Sequence, residues 1–326
     1  MDAADRAERS RARDALRRVR DAVPSVSGAV VMGTGIVAIA LSDDGRRTLA
    51  RVLLALAALA WVIVTSLLAA RALSPRRPRY GDPALLTCVA GTAVLGELLL
   101  AQGAALAAAP LLVLALALWL VLLPPVFAAG FSREASSFML AVSTQSLAVL
   151  AASLAAHEHL RWLLIGALVA IALGLVAYIA ALTRIDPNQL RSARGEHWIA
   201  GGALAIAALA ASQATLAASA LHTLNGARVA LETVSIVLWA LSLVWLPVLL
   251  ASEVLWPRLR YDLRRWGTVF PVGMYAACTF AVAQATRWSG LADAAREWLW
   301  VAVALWLLVA TATLRHLSAL WRRPAR

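Results

Sequence analysis

The sequence predicts an all-α integral membrane protein of ten transmembrane helices, and three observations predict it. The first is composition. Of 326 residues, 62% are hydrophobic and only 15% charged, whereas a soluble domain carries about 25% charged residues. So apolar a chain has too little polar surface to cover itself in water. The second is the recurrence of Leu- and Ala-rich runs near the length that crosses about 30 Å of hydrocarbon. These runs lack a solvent face, which argues against a soluble helical bundle. The third is the placement of arginine. The formal net charge is +12 and every Lys/Arg position is Arg, and the arginines fall between the apolar runs. That pattern fits anchored membrane loops and not a nucleic-acid surface.

In chain order the spans are read at 24–41, 49–70, 83–100, 104–129, 137–155, 160–181, 198–217, 234–254, 266–284 and 298–317. Span 1 reads PSVSGAVVMGTGIVAIAL. Span 2 ends in the basic loop RALSPRRPRYGD. Spans 3 and 4 are only a few residues apart and form a tight hairpin. Spans 5 and 6 follow, then the loop TRIDPNQLRSARGEH, then the last four spans. With the N-terminus inside, 23 of the 30 arginines lie on the cytoplasmic side. The positive-inside rule then places both termini in the cytoplasm of a cell inner membrane and requires an even span count. Trp162, Trp198, Trp266, Trp288, Trp298 and Trp321 fall near interfaces, where an indole keeps one edge wet.

Residues 1–23 form a basic cytoplasmic tail, 24–318 the transmembrane domain and 319–326 a C-terminal tail. The N-terminal tail lacks a signal-peptide pattern. Two readings stand for it: a short amphipathic helix with Ala15, Leu16, Val19 and Val23 on the membrane surface, or a disordered charged segment that only sets topology. Cys88 and Cys278 both lie in apolar runs and imply neither a disulfide framework nor a metal motif.

The spans divide into two sets. Glycines fall in odd spans: Gly28, Gly33 and Gly35, Gly91 and Gly96, Gly201 and Gly202, then Gly273 beside Pro271. Even spans hold Gly166 and Gly174. Small residues permit close helix contact, and Gly or Pro permits bends where protein or a cavity accepts the freed backbone groups. Polar side chains follow the same division: Ser27 and Thr34, then Thr87, Thr92 and Glu97, then Ser143, Thr144, Gln145 and Ser146, then Ser212, Gln213 and Thr215, then Thr279 and Gln284. Ser235 and Ser242 of span 8 break the rule. Odd spans therefore form an inner layer and even spans face lipid. The inner polar series reads either as a water-accessible path or as helix-joining contacts.

Glu97 is the acidic residue placed clearly within a span, near its outer end. It reads as a structural or vestibule group, or as a site that binds a proton or cation. The chain lacks the acidic or histidine ladder of a proton pump. His157 and His159 could ligate a metal, but two ligands are weak evidence and a solvated pair is the simpler reading. No cofactor motif or compact catalytic set is present, so no enzyme is predicted.

Four segments then carry a resemblance: VMGTGIVAIAL at 31–41, FMLAVSTQSLAVLAA at 138–152, EHWIAGGALAIAALA at 196–210 and WGTVFPVGMYAACTF at 266–280. In order and spacing, over the whole ten-span body, they resemble the tellurite-resistance/dicarboxylate transporter family. That family holds bacterial TehA-like proteins, fungal malate and sulfite transporters and plant SLAC1-type anion channels. The resemblance implies five helical hairpins around a central pore, odd helices inside and even helices outside, in a homotrimer with one pore per subunit. It implies passage of small anions: chloride- or nitrate-like ions, sulfite-like oxyanions, or C4-dicarboxylates such as malate. The alternative is a proton-coupled dicarboxylate or tellurite-resistance carrier, with Glu97 or a histidine as the coupling group. A span-9 phenylalanine closes the pore in family members; Phe270 is the nearest match and Phe280 the second, and either also reads as a packing aromatic. Gly33, Thr34, Ser143, Ser146, Gly201, Gln213, Pro271, Gly273 and Thr279 are the candidates for lining the path or bending its helices.

Overall fold

The computed structural model describes residues 24–74, 80–130, 132–258 and 260–321. Among them are ten helices long and apolar enough to cross a membrane. They are α1 (Gly28–Asp43), α2 (Arg47–Ala72), α3 (Thr87–Ala101), α4 (Ala105–Ala129), α5 (Met139–Glu158), α6 (Arg161–Leu182), α7 (Ile199–Ala220), α8 (Arg228–Leu255), α9 (Trp266–Thr286) and α10 (Ser289–Trp321). The N-terminal segment read as a surface helix lies outside the described residues, as do residues 322–326 of the C-terminal tail.

The division read from glycines and hydroxyls appears as burial. In the odd helices 72–100% of the most apolar stretch is buried within the chain; in the even helices the share is 17–39%. Leu and Val side chains on the even helices stand exposed, for example Leu106, Val176 and Leu308, as lipid-facing residues should where the surrounding solvent is itself apolar.

The inner helices close a ring. α1 packs on α3, α3 on α5, α5 on α7, α7 on α9, and α9 back on α1. Each even helix lies over the seam between two consecutive inner helices: α2 over α1 and α3, α4 over α3 and α5, α6 over α5 and α7, α8 over α7 and α9, α10 over α9 and α1. Close approach needs absent side chains. A Cβ on Gly28 would stand 2.6 Å from the Thr87 carbonyl carbon, and one on Gly202 2.8 Å from the Pro271 ring. The α3–α4 turn is tight because Gly103 takes φ +84°, a conformation that costs glycine little.

Polar bonds tie the outer layer to the inner one. The indole of Trp61 on α2 donates to Thr92 on α3 at 2.9 Å, and Trp119 on α4 to Thr144 on α5 at 3.0 Å. Trp239 on α8 donates to Thr279 on α9 at 2.9 Å, and Trp306 on α10 to Thr34 on α1 at 3.1 Å. In all four the donor is on an even helix and the acceptor on the next inner helix of the ring. α6 uses other means: Gln145 of α5 donates to its Ile171 carbonyl at 3.0 Å, and Trp245 of α8 donates to its Tyr178 hydroxyl at 2.9 Å. A Cβ on Gly174 would stand 2.5 Å from the Gln145 amide nitrogen, so this even-helix glycine makes room for that link.

Two helices exceed their hydropathic spans. α10 starts at Ser289 and not at 298, and α8 starts at Arg228 and not at 234. Charge ends the apolar run before it ends the helix. Arg296 bonds to Asp293 three residues earlier and to Asp44 beside the α1–α2 turn, at 2.9 and 2.7 Å. That second pair joins the last helix to the first.

Candidate functional site

Each inner helix is entered through a 3₁₀ turn: Ser25–Ser27, Pro83–Leu86, Ala135–Phe138, Glu196–Trp198 and Leu263–Arg265. Pro83 has no N–H to satisfy and suits the first position of its turn. Asp82 and Asp262 cap their turns by accepting from the backbone N–H of Ala84 and Arg264. The turns that follow Pro24, Glu134 and Gly195 have no side-chain cap.

All five N-termini meet at one small cavity. It is lined by Val26, Ala29 and Met32 leading into and along α1, Ala84 and Thr87 leading into α3, Ser136 and Met139 leading into α5, Glu196 and Ile199 leading into α7, and Gly267 and Phe270 of α9. Its volume is about 20 Å³, room for about one water. Each helix N-terminus carries roughly half a positive elementary charge, so five amount to roughly +2.5 aimed at one point. Glu196 is the acidic group in the lining, and it faces Arg264 at 3.7 Å. Arg264 also pairs with Asp262, at 3.0 Å, and Arg194 with the same carboxylate at 3.1 Å. The Arg264 hydrogen bond holds the Asp262 carboxyl well below the usual carboxylate range.

Phe270 forms part of the cavity wall and is 1% exposed. Pro271 follows it inside α9 and has no N–H to offer the Gly267 carbonyl one turn back. The backbone is therefore loosened where the ring sits. Phe280 lies about 15 Å further along the helix and is also buried.

A second cavity, of about 10 Å³, lies toward the other ends of the inner helices. Ile36 and Ile39, Val94 and Glu97, Ser146 and Val149, and Ile206 and Leu209 contribute to its wall from α1, α3, α5 and α7. Glu97 is 7% exposed. Its Oε1 accepts from Ser153 of α5 at 2.8 Å, while its Oε2 is buried without a hydrogen-bond partner. Both cavities are far too narrow for a hydrated ion, and Met32, Ile36, Ile206 and Phe270 pack between and around them.

Most of the sequence-predicted residues fall into three groups. Phe270, Glu97 and Ser146 stand at the two cavities. Thr34 and Thr279 accept indole bonds from the outer helices. Gly33, Gly201 and Gly273 are contact points between helices: a Cβ there would meet Trp266 and Val269, Tyr275 and Trp245, or Ile36 and Val37. Ser143 is fully buried and donates to Leu140 one turn back. Gln213 is half-buried. Sequence reasoning passed over Met32, Met139 and Ile199 at the first cavity, since a lone apolar residue in an apolar helix carries no signal. Ser153 was legible in principle, because Glu97 buried in an apolar span demands a donor. His159 ends α5 in the left-handed conformation and His157 pairs with Glu158 at 3.0 Å. Among the described residues no group of three metal-ligating side chains converges.

Comparison with known proteins agrees with this architecture. The SLAC1 family, described as voltage-dependent anion channels, matches residues 23–314. Two uncharacterized membrane proteins of Mycobacterium tuberculosis, from strains CDC 1551 and H37Rv, are each 31% identical over 137 residues, spanning 40% of this chain and 68% of theirs.

Proposed function

The chain belongs to the SLAC1 family of voltage-dependent anion channels, and from that premise we propose that it passes small anions along the axis of its five inner helices. The observation that carries the proposal is the meeting of five helix N-termini on one cavity. An anion entering there meets five aligned dipoles, with no fixed arginine in the cavity wall to trap it and with the wall's carboxylate, Glu196, held against Arg264. Weak, distributed attraction suits release and throughput. Five hairpins then surround one pore, with the arginine-rich N-terminal ends of the inner helices and both chain termini on the cytoplasmic side of the inner membrane. Three copies assemble as a homotrimer of separate pores.

In this reading Phe270 is the gate. Its ring forms part of the wall of the narrow inner cavity, and Pro271 leaves the adjoining turn one backbone bond short. Rotation of the ring opens the passage; its return excludes ions sterically and by dewetting. The cargo class is chloride- or nitrate-like ions, sulfite-like oxyanions or C4-dicarboxylates. A second reading, a proton-coupled dicarboxylate or tellurite-resistance carrier, draws on the unpartnered Oε2 of Glu97 in the outer cavity.

Purified protein in planar bilayers separates the two. Ion-replacement currents over chloride, nitrate, sulfite and malate should reverse at the anion equilibrium potential without a proton gradient. Saturable flux that appears only with a proton gradient would overturn the channel reading.

A further inference from the structure

One wide cleft is not on the axis. It opens laterally between α8 and α10, which flank α9, and has a volume of about 540 Å³. Its floor is Thr268 and Val272 of α9. One end is cationic, with Arg258, Arg260 and Arg265, and the rest is a mostly apolar trough in which Leu250, Val301, Leu305 and Leu308 stand with the aromatic Trp298.

The charges at the cationic end do not cancel. Glu253 is the one carboxylate in the lining, 2.9 Å from Arg265 and 3.5 Å from Arg258. Three guanidinium groups against one carboxylate leave two positive charges. Arg258 is anchored, with its Nε donating to the Ala193 carbonyl at 2.6 Å and another nitrogen to the Leu190 carbonyl. Burial lowers its pKa, the expected direction for a cation taken out of water. Arg265 is fixed by Glu253 and by the Arg258 carbonyl. Arg260 is exposed, and no carboxylate among the described residues stands within ion-pair distance of it. Two cations are thus built into the wall, and a third presents a free fork at the mouth.

We propose that this cleft binds one anionic phospholipid, its phosphate on Arg260 in the field of Arg258 and Arg265 and one acyl chain along α10. Charge complementarity and the order of the lining carry the assignment. A soluble anion needs the arginines but has no use for the trough. A neutral lipid fits the trough but leaves the arginines unmatched. A phosphate joined to an acyl chain uses both, and basic pockets between membrane helices suit such headgroups. Leu308 and Val301 are 67% and 49% exposed, so the chain has apolar surface to cover. The site is separate from the axis and independent of what passes along it.

The test uses the full chain, purified in detergent and stripped of lipid. Phosphatidylglycerol and phosphatidylcholine of identical acyl chains are added in turn, and retained lipid is counted by native mass spectrometry. Phosphatidylglycerol should be retained in preference. Arg260→Ala should lower its retention about fivefold, the effect of one arginine near an anionic headgroup. Val301→Trp, which fills the trough from an exposed position, should displace it altogether. Should that variant fold poorly, the exposed Arg260→Ala change decides alone. Equal retention of the two lipids, or no loss in Arg260→Ala, would overturn the assignment. Inorganic phosphate that displaces the lipid at millimolar concentration would show a free-anion site and overturn it as well. So would efficient cross-linking of Val301→Cys between copies in the native membrane, which would show the cleft covered by another subunit.

Discussion

The indole–threonine bonds between the two layers are the most quantitative feature of the fold. Take Trp119 and Thr144, 3.0 Å apart. Thr144→Val keeps the shape and removes the acceptor. The threonine also donates to the Leu140 carbonyl at 2.8 Å, but that carbonyl also accepts from Ser143, so its loss matters little. The indole N–H, half-buried between α4 and α5, is left without its partner. Side-chain bonds between membrane helices average about 0.6 kcal/mol in double-mutant cycles and reach about 1.7. A buried donor left unpaired costs about 1–3 kcal/mol. Thr144→Val should therefore destabilise the protein by about 1–2 kcal/mol. The cycle with Trp119→Phe should give a coupling of about 0.6–1.7 kcal/mol. Denaturant unfolding of the purified protein in detergent, followed by tryptophan emission, reads both quantities. Couplings below about 0.3 kcal/mol at this pair and at Trp61–Thr92, Trp239–Thr279 and Trp306–Thr34 would refute the claim that these bonds join the layers.

Two further outcomes follow from the electrostatics. Glu97→Gln keeps an acceptor for Ser153 and should leave anion current in bilayers unchanged; current lost with fold intact would favour Glu97 as a coupling group. At the other end, Asp262 has its pKa lowered in the folded protein. Its contribution is therefore complete above the unfolded value of about 3.9 and is lost as pH falls through the lower folded value. The difference in thermal unfolding midpoint between wild type and Asp262→Asn should be constant from pH 8 to about 5 and shrink in stronger acid. A difference that instead shrinks as pH rises would show the sign to be wrong.

The two layers were legible in the sequence because the physics acts residue by residue. Helices that touch other helices on every side, such as α1 and α7, need small residues like Gly28 and Gly202, and helices that touch lipid do not. The same reasoning saw that Thr34 and Thr279 were polar and inward. It could not see that their hydroxyls accept from Trp306 and Trp239, because a partner 272 or 40 residues away in sequence leaves no local trace. The prolines do not follow the glycines. Pro271 stood out beside Gly273, yet α4 carries Pro110, Pro124 and Pro125 and α8 carries Pro247, so proline alone does not mark the inner layer. At the candidate site, Phe270 was legible only through family resemblance. Met32, Met139 and Ile199 were not legible at all, since the cavity they share exists only after five distant N-termini have met.

The central claim is that the axis of the inner ring is the anion route and that Phe270 closes it. The most direct test is anion efflux from proteoliposomes carrying wild type or Phe270→Ala, matched for protein content and thermal stability. The Phe270→Ala protein should release chloride or nitrate severalfold faster, with anion-over-cation selectivity unchanged. Equal release by the two proteins, with both folded and inserted, would contradict the account.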